Sequence, residues 1–328
     1  MQFRFARIAV LVAGLAVATS ACGRYSISSI RSLKSFKDGV AQYQKGAYRD
    51  AIPLFENAIK YNPDFGFSYF FLGNSYDSLY RPSRKGEPDN DALLPQAVEN
   101  YRKAIEKLTN SSDPQTAQFR KLSYEYLIAA YGSDKLNDFS QAEPVAKELI
   151  ALEPNEPTNY QALAKLYEDQ GQYDEAEAMF QKAVEVKPND PLGFQMLAFY
   201  YNRQGQFDKT MDAFQKRANL EPNNPEAWHT MGTYYYEKVL KDKSLSRDAA
   251  KNYLNAGVQA EDKALALNND YYEAVTYKNL LIRLQANLEK DRDVQKRMLQ
   301  EADQLRDRAL AIQKQQGAAT TPSGGKKD

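Results

Sequence analysis

Apolar side chains in the middle of the chain recur at intervals of three and four positions, in two successive sets within residues 157–190. This is the period of an amphipathic α-helix, so each set predicts a short helix. Gly171 separates the sets and suits the left-handed backbone with which a helix ends before the chain reverses. A hairpin of two helices is therefore predicted here, with apolar positions at Tyr160, Leu163, Leu166, Tyr167, Tyr173, Ala176, Phe180, Ala183 and Val184.

The same pattern returns further along the chain. The stretch YEDQGQYDEAEAMFQKAVEVKPNDP begins at position 167, and YNRQGQFDKTMDAFQKRANLEPNNP begins 34 residues later, at position 201. In each copy a short polar residue, Asp190 or Asn224, precedes a proline, which is typical of an N-cap followed by the first position of a helix. One hairpin has too little apolar surface to be stable alone, so successive hairpins are expected to bury one another's faces.

The spacing of small and aromatic residues resembles the tetratricopeptide repeat, for example in FKDGVAQYQKGAYRDAIPLFENAIKYNP, where Gly39, Ala51 and Ala58 allow close helix contact. The resemblance implies an all-α fold, a right-handed α-solenoid of about six to seven helix hairpins. A divergent C-terminal helix pair, 271–316, is expected to cap the array, and the tail 317–328 is expected to be disordered. The predicted repeat units are 32–65, 66–111, 117–156, 157–190, 191–224 and 225–270.

Some units depart from the pattern. The second contains an additional loop, RPSRKGEPDNDALLPQ, which suits either a tolerated surface excursion or a docking element. In the fifth, Thr210 and Arg217 stand where the fourth has Ala176 and Ala183, which predicts poorer helix contact or a guanidinium that points outward. The second helix of the sixth unit, within 247–267, is longer than the repeat requires.

The N-terminus begins MQFRFARIAVLVAGLAVATSAC, with two arginines, an apolar run from position 8 to 18, and then small residues. This order is typical of a secretory signal peptide, predicted here over residues 1–21. The run is too short to span a bilayer as a mature helix. We therefore expect the protein to be exported.

Cys22, the only cysteine, directly follows this segment, which resembles a bacterial lipobox. The resemblance implies that the Cys22 sulfur is acylated and that residues 22–31 form a lipidated N-terminus and linker. Thr19 departs from the leucine that is typical three residues before the cysteine. Gly23, in place of aspartate, favours the outer membrane. Two alternatives remain open: cleavage after Ala18, which leaves a soluble periplasmic protein, and an uncleaved anchor.

Composition argues against most chemistry. Lys+Arg and Asp+Glu both number 43, so there is no basic field for nucleic acid. One histidine and one cysteine cannot build a nucleophilic triad or a usual zinc site, and there is no phosphate-binding loop. Acidic pairs such as Asp174 and Glu175 stand at helix starts, where the helix dipole favours them. We therefore expect no enzyme activity, cofactor or metal. A hydrolase or transferase stays open only if an acidic pair is buried in a cleft with a perturbed pKa.

Family resemblance implies a partner-binding groove lined by positions two, five, nine, twelve and thirteen of each first helix. Aromatic rings and amides at such positions suit an extended or helical segment of a partner protein. The rings at Phe70, Phe199 and Tyr236 have an alternative role in packing against neighbouring helices. The predicted groove residues are Phe70, Asn74, Gln161, Lys165, Gln195, Phe199, Asn202, His229, Thr233 and Tyr236.

These features predict a non-catalytic scaffold lipoprotein of the bacterial cell envelope that binds partner proteins or peptides. The resemblance points to envelope biogenesis, secretion or pilus assembly as settings. The alternative is a soluble periplasmic protein of the same fold that binds a glycan or small ligand, for which a closed aromatic pocket is expected instead of an open groove.

Overall fold

The computed structural model describes residues 26–109 and 113–320, and it contains only helices, turns and connecting segments over those ranges. The predicted all-α fold of consecutive helix hairpins is confirmed. The predicted signal peptide 1–21 and Cys22 lie outside the described residues. The chain divides into two compact units, Met1–Val186 and Lys187–Asp328.

The helices of the first unit are α1 Ile27–Gln44, α2 Tyr48–Tyr61, α3 Gly66–Leu79, α4 Pro88–Asp91, α5 Leu93–Lys107, α6 Pro114–Tyr131, α7 Phe139–Leu152, α8 Pro157–Asp169 and α9 Tyr173–Val186. They form four pairs of antiparallel neighbours, in which α1 packs on α2, α3 on α5, α6 on α7 and α8 on α9. A 3-10 turn, Pro82–Arg84, and the short α4 lie in the inserted loop between α3 and α5.

The helices of the second unit are α10 Pro191–Arg203, α11 Phe207–Leu220, α12 Pro225–Lys241, α13 Arg247–Leu267, α14 Tyr272–Leu288 and α15 Arg292–Thr320. They form three such pairs, α10 with α11, α12 with α13, and α14 with α15. The long second helix predicted within 247–267 is α13, and it spans that whole interval.

An aromatic core holds the first unit together. Phe36, Phe55 and Phe71, from three different helices, are almost completely buried, and their ring centroids lie 5.6–5.9 Å apart. Burying a side chain of this size contributes about 1.5–3 kcal/mol. Close approach depends on Gly39, because a Cβ there would lie 2.7 Å from a ring carbon of Phe55. The small residue in α1 thus permits the contact that the repeat pattern predicts.

The predicted helix boundaries follow from local chemistry. Gly171 has φ of 73° and ends α8, as expected for a left-handed residue. The side chains of Asp190 and Asn224 accept hydrogen bonds of 3.0 Å from the backbone N–H two residues later, Leu192 and Glu226 respectively. Both residues therefore act as N-caps and fix where α10 and α12 begin.

Arg217 in α11 contradicts one of its two predicted alternatives, the outward-pointing guanidinium. Its guanidinium does not point outward, and the residue is only 5% exposed. The Nε atom donates a hydrogen bond of 2.9 Å to Glu221 Oε2, and Nη2 lies 3.8 Å from Glu226 Oε1. These carboxylates compensate the charge in place, so the arginine remains between the helices.

Helices also extend into both predicted terminal segments. α1 begins at Ile27, inside the predicted linker 22–31, because the Ser26 hydroxyl caps it by accepting a 3.1 Å hydrogen bond from the Ser29 N–H. α15 continues to Thr320, so it includes the first four residues of the segment 317–328 that was expected to be disordered. Residues 321–328 lie outside the described residues.

Candidate partner-binding surface

Two of the predicted groove residues, Phe70 and Asn74 in α3, are buried, so their assignment to an accessible surface is wrong. Phe70 is 0% exposed, and its ring centroid lies 5.0 Å from that of Phe119 and 5.8 Å from that of Tyr126. Both of these rings belong to α6, which covers this face of α3. Phe70 therefore stabilises the core, which is the packing role that the sequence left open.

Asn74 is 3% exposed and connects three helices. Its Oδ1 accepts a 2.6 Å hydrogen bond from the Tyr43 hydroxyl, and its Nδ2 donates one of 3.3 Å to the Tyr101 hydroxyl. Burial raises the pKa of both tyrosines, so the hydroxyls keep their protons. Beside them, Lys135 Nζ lies 2.5 Å from Asp77 Oδ1. The Tyr101 hydroxyl also donates a 3.4 Å hydrogen bond to Asp77 Oδ2, so this link of uncharged groups is joined to one partly buried ion pair.

The predicted groove residues of α8 are more accessible, but one is engaged within its own helix. Lys165 is exposed and pairs with the carboxylate of Asp169, one turn further on. Gln161 is half-buried. Exposed pairs of this spacing contribute only a few tenths of a kcal/mol, so Lys165 can exchange its partner at little cost.

In the second unit, α10 keeps its three predicted residues at least partly accessible. Asn202 is exposed, and Gln195 is half-buried. Phe199 is half-buried as well, with its ring centroid 5.9 Å from that of Phe214 in α11. One side of the Phe199 ring thus packs on the neighbouring helix, while part of it remains open to solvent.

The predicted residues of α12 are also partly accessible. The Thr233 hydroxyl donates a 2.7 Å hydrogen bond to the Thr230 carbonyl within the helix. The Tyr236 ring centroid lies 5.5 Å from that of Tyr277 in α14. We call the five half-buried or exposed residues of α10 and α12 the first-helix face of the second unit: Gln195, Phe199, Asn202, Thr233 and Tyr236.

His229, the last of the ten predicted groove residues to be described, makes a contact that was not expected. Its Nδ1 atom lies 3.1 and 3.0 Å from the two carboxylate oxygens of Glu261 in α13. The Glu261 side chain is 0% exposed, and that of His229 is 12% exposed. Burial raises the pKa of Glu261 to about 7, although the hydrogen bond from His229 opposes the rise.

Two tyrosines complete the surroundings of His229. The ring centroids of Tyr271 and Tyr277 lie 5.2 and 5.3 Å from that of the imidazole, both at steep angles. Gly232 makes room for Glu261, since a Cβ on this glycine would lie 2.6 Å from Glu261 Cδ. The imidazole therefore occupies the space between two tyrosine rings and a buried carboxylate.

Glu261, Tyr271 and Tyr277 were not among the predicted residues. A signal for Glu261 was present, because Gly257, Glu261 and Ala264 follow one another at intervals of four and three, so an acidic residue interrupts the small-residue stripe of α13. No comparable signal marks the tyrosines. Their role depends on how α14 packs against α12.

The described residues contain neither a candidate metal site nor a candidate membrane-spanning helix. Within 26–109 and 113–320, no group of three or more His, Cys, Asp and Glu side chains is arranged to hold a metal ion. Among the helices of the same ranges, none combines the length and the hydropathy needed to cross a bilayer. The surfaces present can bind through hydrogen bonds and aromatic contacts.

Comparison with known proteins relates part of the chain to a repeat family and its fold to a solved structure. Residues 135–198 match the family model of the tetratricopeptide repeat. The solved C-terminal part of a tetratricopeptide-repeat protein from Cytophaga hutchinsonii is 16% identical, with 84% of this chain and 95% of that chain covered and a TM-score of 0.54. Residues 135–198 therefore contain tetratricopeptide-repeat sequence, and the chain shares its helical-repeat fold with that solved structure.

Two further solved structures match with lower TM-scores. MamA from Desulfovibrio magneticus RS-1 is 17% identical, with 62% of this chain and 98% of that chain covered and a TM-score of 0.44. YrrB, described as a tetratricopeptide-repeat protein with an unusual peptide-binding site, is 14% identical, with coverages of 61% and 91% and a TM-score of 0.38. No curated protein matches the chain.

Proposed function

We propose that the protein is a non-catalytic scaffold that binds partner proteins or peptides through the first-helix face of its second unit. The observation that carries the proposal is the accessibility of this face: Asn202 is exposed, while Phe199 and Tyr236 each contact a ring of a neighbouring helix and remain partly exposed. Amides can bond a peptide backbone, and half-open rings supply contact area at a low entropy cost. The tetratricopeptide-repeat match supports the same class of function.

We further propose that the scaffold acts in the bacterial cell envelope, anchored by acylation of Cys22 after export by the segment 1–21. Support comes from the charged, apolar and small-residue order of that segment and from the position of the single cysteine directly behind it. Envelope biogenesis, secretion and pilus assembly are the settings in which such a scaffold would serve.

The competing proposal, a soluble periplasmic protein that binds a glycan or small ligand, calls for a closed aromatic pocket. In the described part of the second unit, Tyr271 and Tyr277 instead surround the protein's own imidazole, His229. This arrangement favours the partner-binding proposal over the alternative.

Photo-crosslinking in intact cells tests the binding proposal. A photoreactive amino acid replaces Asn202 on the first-helix face or, as the matched control, Asn252, an exposed asparagine on α13. We expect mass spectrometry to identify at least one envelope protein that is captured from position 202 and not from position 252. Identical captures from both positions would contradict the assignment of the face.

A Cys22→Ser variant tests the anchor separately. We expect loss of labelled palmitate and release of the protein from the membrane fraction, since one acylated cysteine is the only predicted lipid attachment. Unchanged labelling and unchanged membrane partition would contradict the anchor and leave the binding proposal standing.

A further inference from the structure

The second unit contains a buried acid and base that the proposed binding function does not use. Glu261 of α13 is completely enclosed, and the group bonded to its carboxylate is the imidazole of His229 in α12. His229 in turn lies between Tyr271, which directly precedes α14, and Tyr277 within α14. The pair and its two tyrosines therefore connect three helices.

The number of titratable protons on His229 and Glu261 determines the charge of the pair. With one titratable proton present, the pair is neutral overall, either as a carboxylate that accepts from an imidazolium Nδ1–H or as a carboxylic acid that donates to Nδ1. Loss of that proton leaves one negative charge in a site without solvent access, hydrogen-bonded to a neutral imidazole. A buried charge that is not neutralised is costly, so this state favours opening of the site to water.

The surrounding charges do not remove this cost. On α13, Asp262 adds negative potential at Glu261, and it is itself paired with Lys278 of α14 at 2.7 Å. Glu226 of α12 and Glu273 of α14 act on Tyr271 beside the pair, and they too are acidic. The nearby cation Lys263 lies over the Trp228 ring, 4.0 Å from its centroid.

Two further cations in the described part of the unit are paired with other carboxylates. Lys278, which neutralises Asp262, also lies 3.7 Å from Glu301 of α15. Arg217 is bonded to Glu221. The environment of Glu261 therefore disfavours its ionised form unless His229 carries a proton.

The pair also lies next to the proposed binding surface. Tyr277, which packs on His229, packs on Tyr236 as well, with ring centroids 5.5 Å apart. Thr233 follows His229 by one helical turn in α12. A movement of the imidazole away from Glu261 would consequently shift Tyr277 and change how Tyr236 is presented.

We propose that the His229–Glu261 pair is a proton-dependent tie that holds α12, α13 and α14 together and thereby controls the first-helix face. The control of binding rests on the proposed function, whereas the tie itself is a property of the folded chain. The tie is closed at acidic pH and loosens as the pH rises toward neutrality.

The direction of the effect follows from proton linkage. The folded-state pKa of Glu261, about 7, lies above its ordinary value, so the folded state binds more protons than the unfolded state between these two values. The stabilisation is complete below the ordinary value and is lost as the pH rises toward about 7. Linkage then predicts an unfolding equilibrium constant that increases on the order of 30-fold between pH 5.5 and pH 8.

Trp228, the single tryptophan, is adjacent to His229 and provides a specific fluorescence probe of this unit. Urea unfolding of the full chain is followed at pH 5.5, 6.5, 7.5 and 8. We expect the wild-type midpoint to fall as the pH rises, and Glu261→Gln to lose most of that fall, because a neutral amide keeps the shape and cannot ionise. His229→Gln keeps the carboxylate without its base, so the midpoint should fall more steeply than in the wild type.

The results separate the tie from the binding function. A wild-type midpoint independent of pH, or a Glu261→Gln profile parallel to that of the wild type, would overturn the tie. If Glu261→Gln does not fold, the wild-type and His229→Gln profiles decide the question. Crosslinking from position 202 is then compared at pH 6 and pH 8. Equal capture of a partner at both pH values would refute control of the face. No capture at either pH value would refute only the binding proposal.

Discussion

Two buried polar links, one in each unit, show that a polar residue on the first helix of a hairpin can serve different purposes. In the first unit, Asn74 joins three helices through neutral tyrosine hydroxyls. In the second, His229 joins three helices through a carboxylate and tyrosine rings. Both links satisfy buried polar groups, but only the second changes its charge near neutral pH. A buried polar residue on a first helix can thus be a permanent support in one unit and a titratable one in the other.

The largest expected effect concerns the packing that covers the neutral link. Phe70→Ala removes a completely buried ring that contacts Phe119 and Tyr126. We expect the free energy of unfolding to fall by about 3–5 kcal/mol, as is typical of a large-to-small change in a core. Hydrogen–deuterium exchange of α3 and α6 measures the loss locally.

Phe199→Ala is the matched control for this change, because the same truncation is made at a half-buried ring of the second unit. Its expected effect on unfolding is clearly smaller. Equal losses for the two variants would mean that Phe70 is no more essential to the core than Phe199, and the contrast between the units would fail.

A smaller effect is expected for Asn74→Ala. The substitution leaves the buried hydroxyls of Tyr43 and Tyr101 without their shared amide, which costs about 1–3 kcal/mol. Because burial keeps both hydroxyls protonated, the loss should be the same at pH 5.5 and pH 8. Urea unfolding followed by far-ultraviolet circular dichroism at the two pH values measures it, and a loss that depends strongly on pH would erase the distinction from the His229–Glu261 pair.

The smallest effect is expected at the proposed binding face. Asn202→Ala alters an exposed side chain, so the free energy of unfolding should change by less than about 0.5 kcal/mol. Trp228 fluorescence during urea unfolding measures this change. A loss of several kcal/mol would mean that Asn202 is a structural residue, as Asn74 is, and not a free contact point.

The helix hairpins were predictable because their signals are local. Gly171, Asp190 and Asn224 act within a few residues of their own position, and the structure confirms their roles as turn and caps. The site was predictable only in part. His229 was singled out as a polar residue of a first helix, whereas its acidic partner was missed because the segment 247–267 was interpreted by its length alone.

Resemblance to a family places residues on a helix face, but it does not say what lies against that face. Phe70 and Asn74 occupy the same repeat positions that remain partly open in α10, yet rings and hydroxyls from other helices enclose them. Arg217 shows the converse, since an outward-pointing guanidinium was one of its two predicted alternatives, yet the side chain is buried and bonded to Glu221. Burial depends on contacts between helices that periodicity does not encode.

The sequence by itself determined the repeating hairpins, their turns and caps, and the small residues at their contacts, because helix periodicity and capping depend on neighbours within one or two turns. Only the tertiary structure decided which polar positions are enclosed and which are open. The reason is that the environment of Asn74, Arg217 or Glu261 is formed by side chains from other helices or from the following loop, and these determine both the solvent access and the charge state.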